Sequence, residues 1–237
     1  MPSVLIVLSA AKTWTMKDGS RHPTGFWVEE FVKPHQMFTA AGFDVEIATP
    51  GGATPVGDEL SLALAYNDDD AGWVAEQREY LNERADALSA TLPLAEARAA
   101  DYDVVFLVGG HGPMQDMAVD PSIGPLLAET LDDPSKLVCA VCHGIAGFLS
   151  AHRADGSWLF KDRALTAFSN EEETQATFAG NAPWLLEDRL RLAGARYEAV
   201  PAWTPHVVTD GNLITGQQWQ SAEGVVNLVL EKLSVAA

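Results

Sequence analysis

The sequence predicts an α/β fold in three layers, with a mostly parallel β-sheet between helices. Three observations carry this expectation. Apolar runs of strand length alternate with amphipathic stretches of helix length. The strand-like runs are apolar without alternation, as in Val104-Val105-Phe106-Leu107-Val108, which suits strands buried on both faces. Connections long enough for a helix separate them, which implies right-handed crossovers and helices on both sides of the sheet. With 237 residues, 47% of them hydrophobic, the chain can bury one sizeable core. One α/β domain over residues 1–237, with an insertion at about 53–100, fits better than two equal halves.

Each element follows from local sequence. Val4 to Leu8 reads as the first strand. Phe26 to Ala41 reads as a helix, broken or bent near Pro34 and closed by Gly42. Asp44 to Ala48 is the second strand, stopped by Pro50-Gly51-Gly52. The insertion holds a loop with Asp68-Asp69-Asp70, then a helix with Leu81, Ala85, Leu88 and Leu92 at helical spacing. The aspartate triplet lacks the spaced ligands and closing glutamate of a calcium loop, so it reads as a solvated turn. Val104 to Val108 ends in Gly109-Gly110-His111-Gly112. A helix over Ile123 to Leu131 leads into a strand over Leu137 to Val141. Ala164 to Phe168 is a further strand, Val207 to Ile214 a hairpin turning at Asp210-Gly211, and Ser221 to Leu233 an amphipathic closing helix.

Composition excludes some roles. The net charge of −18, from 15 basic and 33 acidic side chains, repels phosphate backbones and anionic lipid, so neither nucleic acid nor membrane is an expected partner. No apolar run reaches the length of a bilayer span. The start, Met1-Pro2-Ser3-Val4, lacks a basic leader region and passes straight into strand, so a cytoplasmic protein is expected.

Chemistry concentrates at two strand ends, where ligands bind in open parallel sheets. The glycines of Gly109-Gly110-His111-Gly112 free backbone amides to face a ligand. At Ala140-Val141-Cys142-His143-Gly144 a strand turns sharply into a helix, the layout of a nucleophile elbow with cysteine in place of serine. The following helix N-terminus is expected to favour thiolate and lower the Cys142 pKa. The plainer alternative is a second buried cysteine beside Cys139, which itself reads as a core residue inside the strand. A redox pair Cys139/Cys142 fits poorly, because such pairs open a helix. His143 is placed to manage the proton, with Glu171, Glu172 or Glu173 as candidates to orient it. His22, His35, His111, His152 and His206 show no metal-ligand spacing, so no metal is expected.

In this order, the segments Thr24-Gly25-Phe26-Trp27-Val28-Glu29-Glu30, Ala48-Thr49-Pro50-Gly51-Gly52, Gly109-Gly110-His111-Gly112-Pro113-Met114, Ala140 to Gly144, Leu165 to Glu173, Pro205-His206-Val207-Val208 and Leu213 to Gln217 resemble the ThiJ/PfpI (class I glutamine amidotransferase-like) superfamily. The resemblance is nearest to its branch of heat-shock chaperones with glyoxalase III (D-lactate dehydratase) activity. It implies a flavodoxin-like sandwich, Cys142 as nucleophile, His143 as its histidine, and Glu173 as the acid that orients it, with Glu172 next. It puts Glu30 at the position of a buried carboxylate meeting the cysteine, with a raised pKa. The oxyanion donors would be the backbone amides of Gly110 and His143. The implied reaction converts methylglyoxal to lactate without metal, glutathione or organic cofactor, on a small dicarbonyl or aldehyde substrate, in a homodimer that serves in stress response. Chaperone or redox-sensing roles, or another cysteine hydrolase on the same scaffold, are the rival readings. Two departures stand out: Gln217-Gln218-Trp219-Gln220-Ser221 replaces the usual Gln-Asn-Pro-Ala-Ser, and Ile145 stands where proline is common. The first bears on the crevice rim or a subunit contact, and so on the substrate.

Overall fold

The computed structural model describes residues 1–234. Its strands are β1 (Ser3–Val7), β2 (Thr13–Thr15), β3 (Arg21–Pro23), β4 (Asp44–Thr49), β5 (Leu92–Pro93), β6 (Val104–Leu107), β7 (Leu137–Val141), β8 (Ala164–Leu165), β9 (Arg196–Tyr197), β10 (Val207–Asp210) and β11 (Leu213–Gly216). Its α-helices are α1 (Val28–Ala40), α2 (Ala71–Glu83), α3 (Ala85–Ser89), α4 (Gly112–Gln115), α5 (Ile123–Asp132), α6 (Asn170–Gln175), α7 (Leu186–Ala193) and α8 (Ala222–Ser234). Seven strands form the central sheet, in the order β10-β11-β7-β6-β1-β4-β5. All neighbours pair in parallel except β10, which is antiparallel to β11 at one edge. Helices cover both faces, which makes the fold flavodoxin-like.

The continuous apolar runs have a direct cause. Along β1, Val4 and Ile6 pack into one core while Leu5 and Val7 pack into the other. β6 does the same, with Val104 and Phe106 on one side and Val105 and Leu107 on the other. Helices α1 and α8 cover the first core through Phe31, Phe38, Val225 and Val229. Helices α5 and α7 and the turns after β7 cover the second through Leu126, Leu127, Leu190 and Phe148. Chain order reverses between β1 and β6, so the carboxyl ends of β6 and β7 open into the crevice where such sheets bind ligands.

Three expectations need correction. Helix α1 runs unbroken through Pro34. Pro34 withholds one rung from the Glu30 carbonyl, and the buried Phe31 and Phe38 on either side hold the helix together. The insertion helix ends early: α2 and α3 stop before Ala90, and Leu92 instead pairs with Ala48 to make β5 an edge strand. Pro93 accounts for this, since it disfavours helix in the residue before it. The stretch after Ala164 is extended for two residues only, pairing with β9 outside the main sheet. The aspartate triplet is a turn. Asp68 and Asp69 are left-handed, at φ +51° and +59°, and Asp70 caps α2 by accepting from Trp73 N at 3.0 Å.

Candidate active site

The crevice is assembled from four separate parts of the chain. Cys142 follows β7 with φ +55°, a left-handed conformation unusual for a residue with a side chain, and the chain then turns tightly over Cys142–Ser150. The sulfur therefore projects from the carboxyl end of β7. Beside it, Gly109 leaves β6 with no space for a side chain: a Cβ there would lie 2.6 Å from Glu30 Oε2 and 2.8 Å from Cys142 Cβ. Only glycine lets the acid and the sulfur come this close. Gly110, at φ +91°, then turns its amide toward the sulfur, and the His143 amide faces it as well.

Glu30 comes from the first turn of α1 and is fully buried. Its Oε2 accepts from Gly109 N at 2.7 Å, while Oε1 is buried with no partner. Burial raises its pKa to about 8, against the opposing pull of the Gly109 amide and the Cys142 side chain. At neutral pH the carboxyl is mostly protonated. The thiol corrects a sequence expectation. Burial and the neighbouring Glu30 carboxyl push Cys142 well above the ordinary thiol range, and the Gly110 and His143 amides only partly oppose them. The turn after Cys142 is 3₁₀ rather than α, and loss of hydration outweighs whatever its N-terminus contributes.

His143 Nδ1 lies 3.4 Å from Cys142 Sγ, and its Nε2 lies 2.7 Å from Glu173 Oε2. Burial holds the imidazole below its ordinary pKa despite the opposing charge of Glu173. On the Glu173 carboxyl, burial acts upward but is outweighed by His111 and His143, leaving it well below the usual carboxylate range. An anionic Glu173 fixes the proton of His143 on Nε2 and leaves Nδ1 free to accept from the thiol.

Helix α6 explains why Glu173 takes this part among three consecutive glutamates. Ser169 and Glu172 form a capping box, and Glu172 Oε1 also accepts from Trp203 N and Gln217 Nε2. That use engages Glu172, Glu171 faces outward, and Glu173 points at the histidine. A second imidazole shares the acid, with His111 Nε2 2.8 Å from Glu173 Oε1. His111 stacks on Trp14 with centroids 4.7 Å apart, and its Nδ1 is buried without a partner. Sequence reasoning assigned His111 no role; the available signal was its place inside the glycine turn after β6. Among the described residues, His111, His143 and Glu173 are the group whose ligand-type atoms lie within 4.8 Å of one another, but both Nε2 atoms are engaged as donors to the carboxylate.

Over the sulfur lies a small chamber of about 20 Å³, walled mainly by aromatic rings. Trp27 stacks on Trp219 at 5.0 Å, Tyr66 meets both edge-on, and Trp203 packs against Trp219 at 5.2 Å. Tyr66, Trp203 and Trp219 also border an outer bowl of about 830 Å³, so these rings divide the buried sulfur from a wide entrance. No helix among the described residues is long and apolar enough to cross a membrane.

Known proteins align with this arrangement along most of the chain. It is 30% identical over 191 residues to glutamine amidotransferase-like class 1 domain-containing protein 1 of Bos taurus, covering 81% of each chain. It is 28% identical over 228 residues to the glutathione-independent glyoxalase HSP31 of Saccharomyces cerevisiae, covering 92% of each. The crystal structure of glyoxalase III from Candida albicans superposes with a TM-score of 0.79 at 25% identity, over 98% of this chain and 97% of that one. The DJ-1/PfpI family model matches residues 23–232, and this chain belongs to the DJ-1/PfpI family.

Proposed function

We propose that the chain is a glyoxalase III-type lyase that converts methylglyoxal to lactate, with Cys142 as nucleophile and with no glutathione, metal or organic cofactor taking part. The observation that carries this reading is the Glu30 carboxyl, wholly buried against Cys142 and titrating at about 8. A base with a pKa near working pH, facing the carbon that the sulfur would hold, suits proton transfer between adjacent carbons. The names of the yeast and Candida relatives support the same substrate class.

The steps follow the geometry. As Cys142 Sγ bonds to the aldehyde carbon, His143 Nδ1 takes the thiol proton and Glu173 balances the imidazolium. The new oxyanion is held by the Gly110 and His143 amides and takes the thiol proton from His143, becoming the hemithioacetal hydroxyl. The ionised fraction of Glu30, about a tenth at pH 7 for a group titrating near 8, removes the hydrogen on that carbon and hands it to the neighbouring ketone oxygen, giving an enediol. Glu30 then takes the proton of the first hydroxyl and delivers it to the second carbon, leaving a lactyl thioester, an ionised Glu30 and a neutral His143. Water, deprotonated by His143, cleaves the thioester to lactate and frees the thiol.

Lactate formation from methylglyoxal, followed on wild type beside Cys142→Ser and Glu30→Gln, tests this. Loss of activity in both is expected, and a Cys142→Ser protein that works at the wild-type rate sinks the scheme. The same reading holds the protein to be a cytoplasmic homodimer. The two free cysteines support a reducing compartment, and light scattering tests the dimer. A redox-sensing role finds no support in the site, because the raised thiol pKa reduces the thiolate on which peroxide acts.

A further inference from the structure

Trp27 lines the chamber over Cys142 and carries a hydrogen-bond donor that the protein leaves unused. Trp27 is 6% exposed and its ring lines the chamber, yet its Nε1 is buried with no partner. A buried unsatisfied N–H is uncommon and costs about 1–3 kcal/mol. The neighbouring indole of Trp203 differs, since its Nε1 donates to Gln175 Oε1 at 2.5 Å. The other lining side-chain atom that is buried and unpartnered is His111 Nδ1. It is an acceptor, because the His111 proton lies on Nε2 against Glu173. A ketone oxygen needs a donor, and His111 cannot supply one.

We infer that Trp27 Nε1 is the contact for the second carbonyl oxygen of the substrate, and that it selects 1,2-dicarbonyls over simple aldehydes. The inference rests on the proposed function and names the residue that sets its substrate class. The Gly110 and His143 amides face the sulfur, so they serve the oxygen on the carbon the sulfur attacks. The oxygen one carbon further on needs its own donor. Trp27 is held for this by its backbone, whose amide donates to Gly109 O at 2.9 Å, and by its stack on Trp219. A hydrogen bond there draws electrons from the ketone and aids enediol formation. It gives nothing to an aldehyde that lacks the oxygen.

The test compares methylglyoxal with propanal, which has the same three-carbon chain without the second oxygen. Each adds reversibly to the Cys142 thiol, the sulfur bonding to the aldehyde carbon and the thiol proton ending on its oxygen. Protection of Cys142 from methyl methanethiosulfonate, read by intact mass, gives a dissociation constant for each compound without requiring turnover. In Trp27→Phe, which keeps an aromatic ring and loses the N–H, methylglyoxal should bind roughly tenfold more weakly while propanal is unchanged. The unchanged propanal constant also certifies a folded site. Equal weakening of both compounds, or no change for methylglyoxal, overturns the inference. Wild type that binds methylglyoxal with this Trp27 dependence but forms no lactate overturns the proposed reaction and leaves the dicarbonyl contact standing.

Discussion

His111 Nε2 lies 2.8 Å from Glu173 Oε1, the carboxylate oxygen that His143 leaves free. The carboxylate is thus held at both oxygens by imidazoles, one of which faces the sulfur while the other stacks on Trp14. A second proton on His111 would repel one on His143, which adds to burial in holding His143 below its ordinary pKa. Replacing it with glutamine keeps an N–H for Glu173 and removes that charge effect. The His143 pKa should then rise. Because Nδ1 must be unprotonated to accept the thiol proton, the acid limb of the pH–rate profile for Cys142 methylthiolation should move to higher pH in His111→Gln. Identical limbs in the two proteins refute the coupling. His111→Ala, which leaves a buried carboxylate oxygen unpaired, should in addition cost about 1–3 kcal/mol of stability by urea unfolding.

Glu30 makes a second pH-dependent prediction, this time in stability. Its folded pKa of about 8 lies above the ordinary carboxyl value of 4.5, so between those values the folded chain binds a proton that the unfolded chain has released. Stability therefore falls as pH rises through this window, by up to a few kcal/mol. Glu30→Gln should flatten that part of the curve, and its stability relative to wild type should improve from pH 5 to pH 8. Lactate formation should show the opposite trend in wild type, rising toward a limb near pH 8 as the base ionises. A wild-type stability curve that matches Glu30→Gln across the window refutes the raised pKa.

These two residues also mark how far the sequence could be read. The strands were legible because both of their faces are buried, so Val104 to Leu107 needs no alternation to be recognised. The elbow was legible because the apolar run stops at Cys142 between small residues. Glu30 was not legible from its helix, where an acidic residue ordinarily faces water, and only the resemblance singled it out. What buries it is contact with Gly109, seventy-nine positions away. The thiol pKa was misread for a related reason. A local argument from the helix N-terminus took no account of burial and Glu30, which arrive from elsewhere in the fold and dominate. The aromatic wall of Tyr66, Trp203 and Trp219 joins the insertion to two distant loops, and no local period announces it.

That wall should limit access. Trp203 sits at φ +64° and is latched by its indole to Gln175 and by its amide to Glu172, both on α6. Its ring separates the small chamber from the outer bowl. Trp203→Ala should join the two spaces and speed methylthiolation of Cys142 by about tenfold or more. Gln175→Leu, which removes only the latch, should give a smaller increase. Cys139, wholly buried in β7, should stay unmodified in every variant, and one added group by intact mass reports on Cys142 alone. An unchanged rate in Trp203→Ala means that the barrier to the sulfur lies elsewhere.

Gly109→Ala tests whether the closeness of acid and sulfur is a requirement of the site. The added methyl would stand 2.6 Å from Glu30 Oε2, 2.8 Å from Cys142 Cβ and 2.9 Å from the His143 amide nitrogen. None of these can move freely: the carboxyl is buried and bonded to the Gly109 amide, and the other two belong to the strained elbow. Overpacking of this kind costs about 1–3 kcal/mol, which urea unfolding measures. The effect on chemistry should be the larger one. Pushing Glu30 from the sulfur even slightly removes the base from the carbon it must reach, so lactate formation should fall by about a hundredfold. A Gly109→Ala protein that is destabilised yet keeps wild-type turnover would show that Glu30 need not touch the cysteine, and would remove the acid from the proposed mechanism.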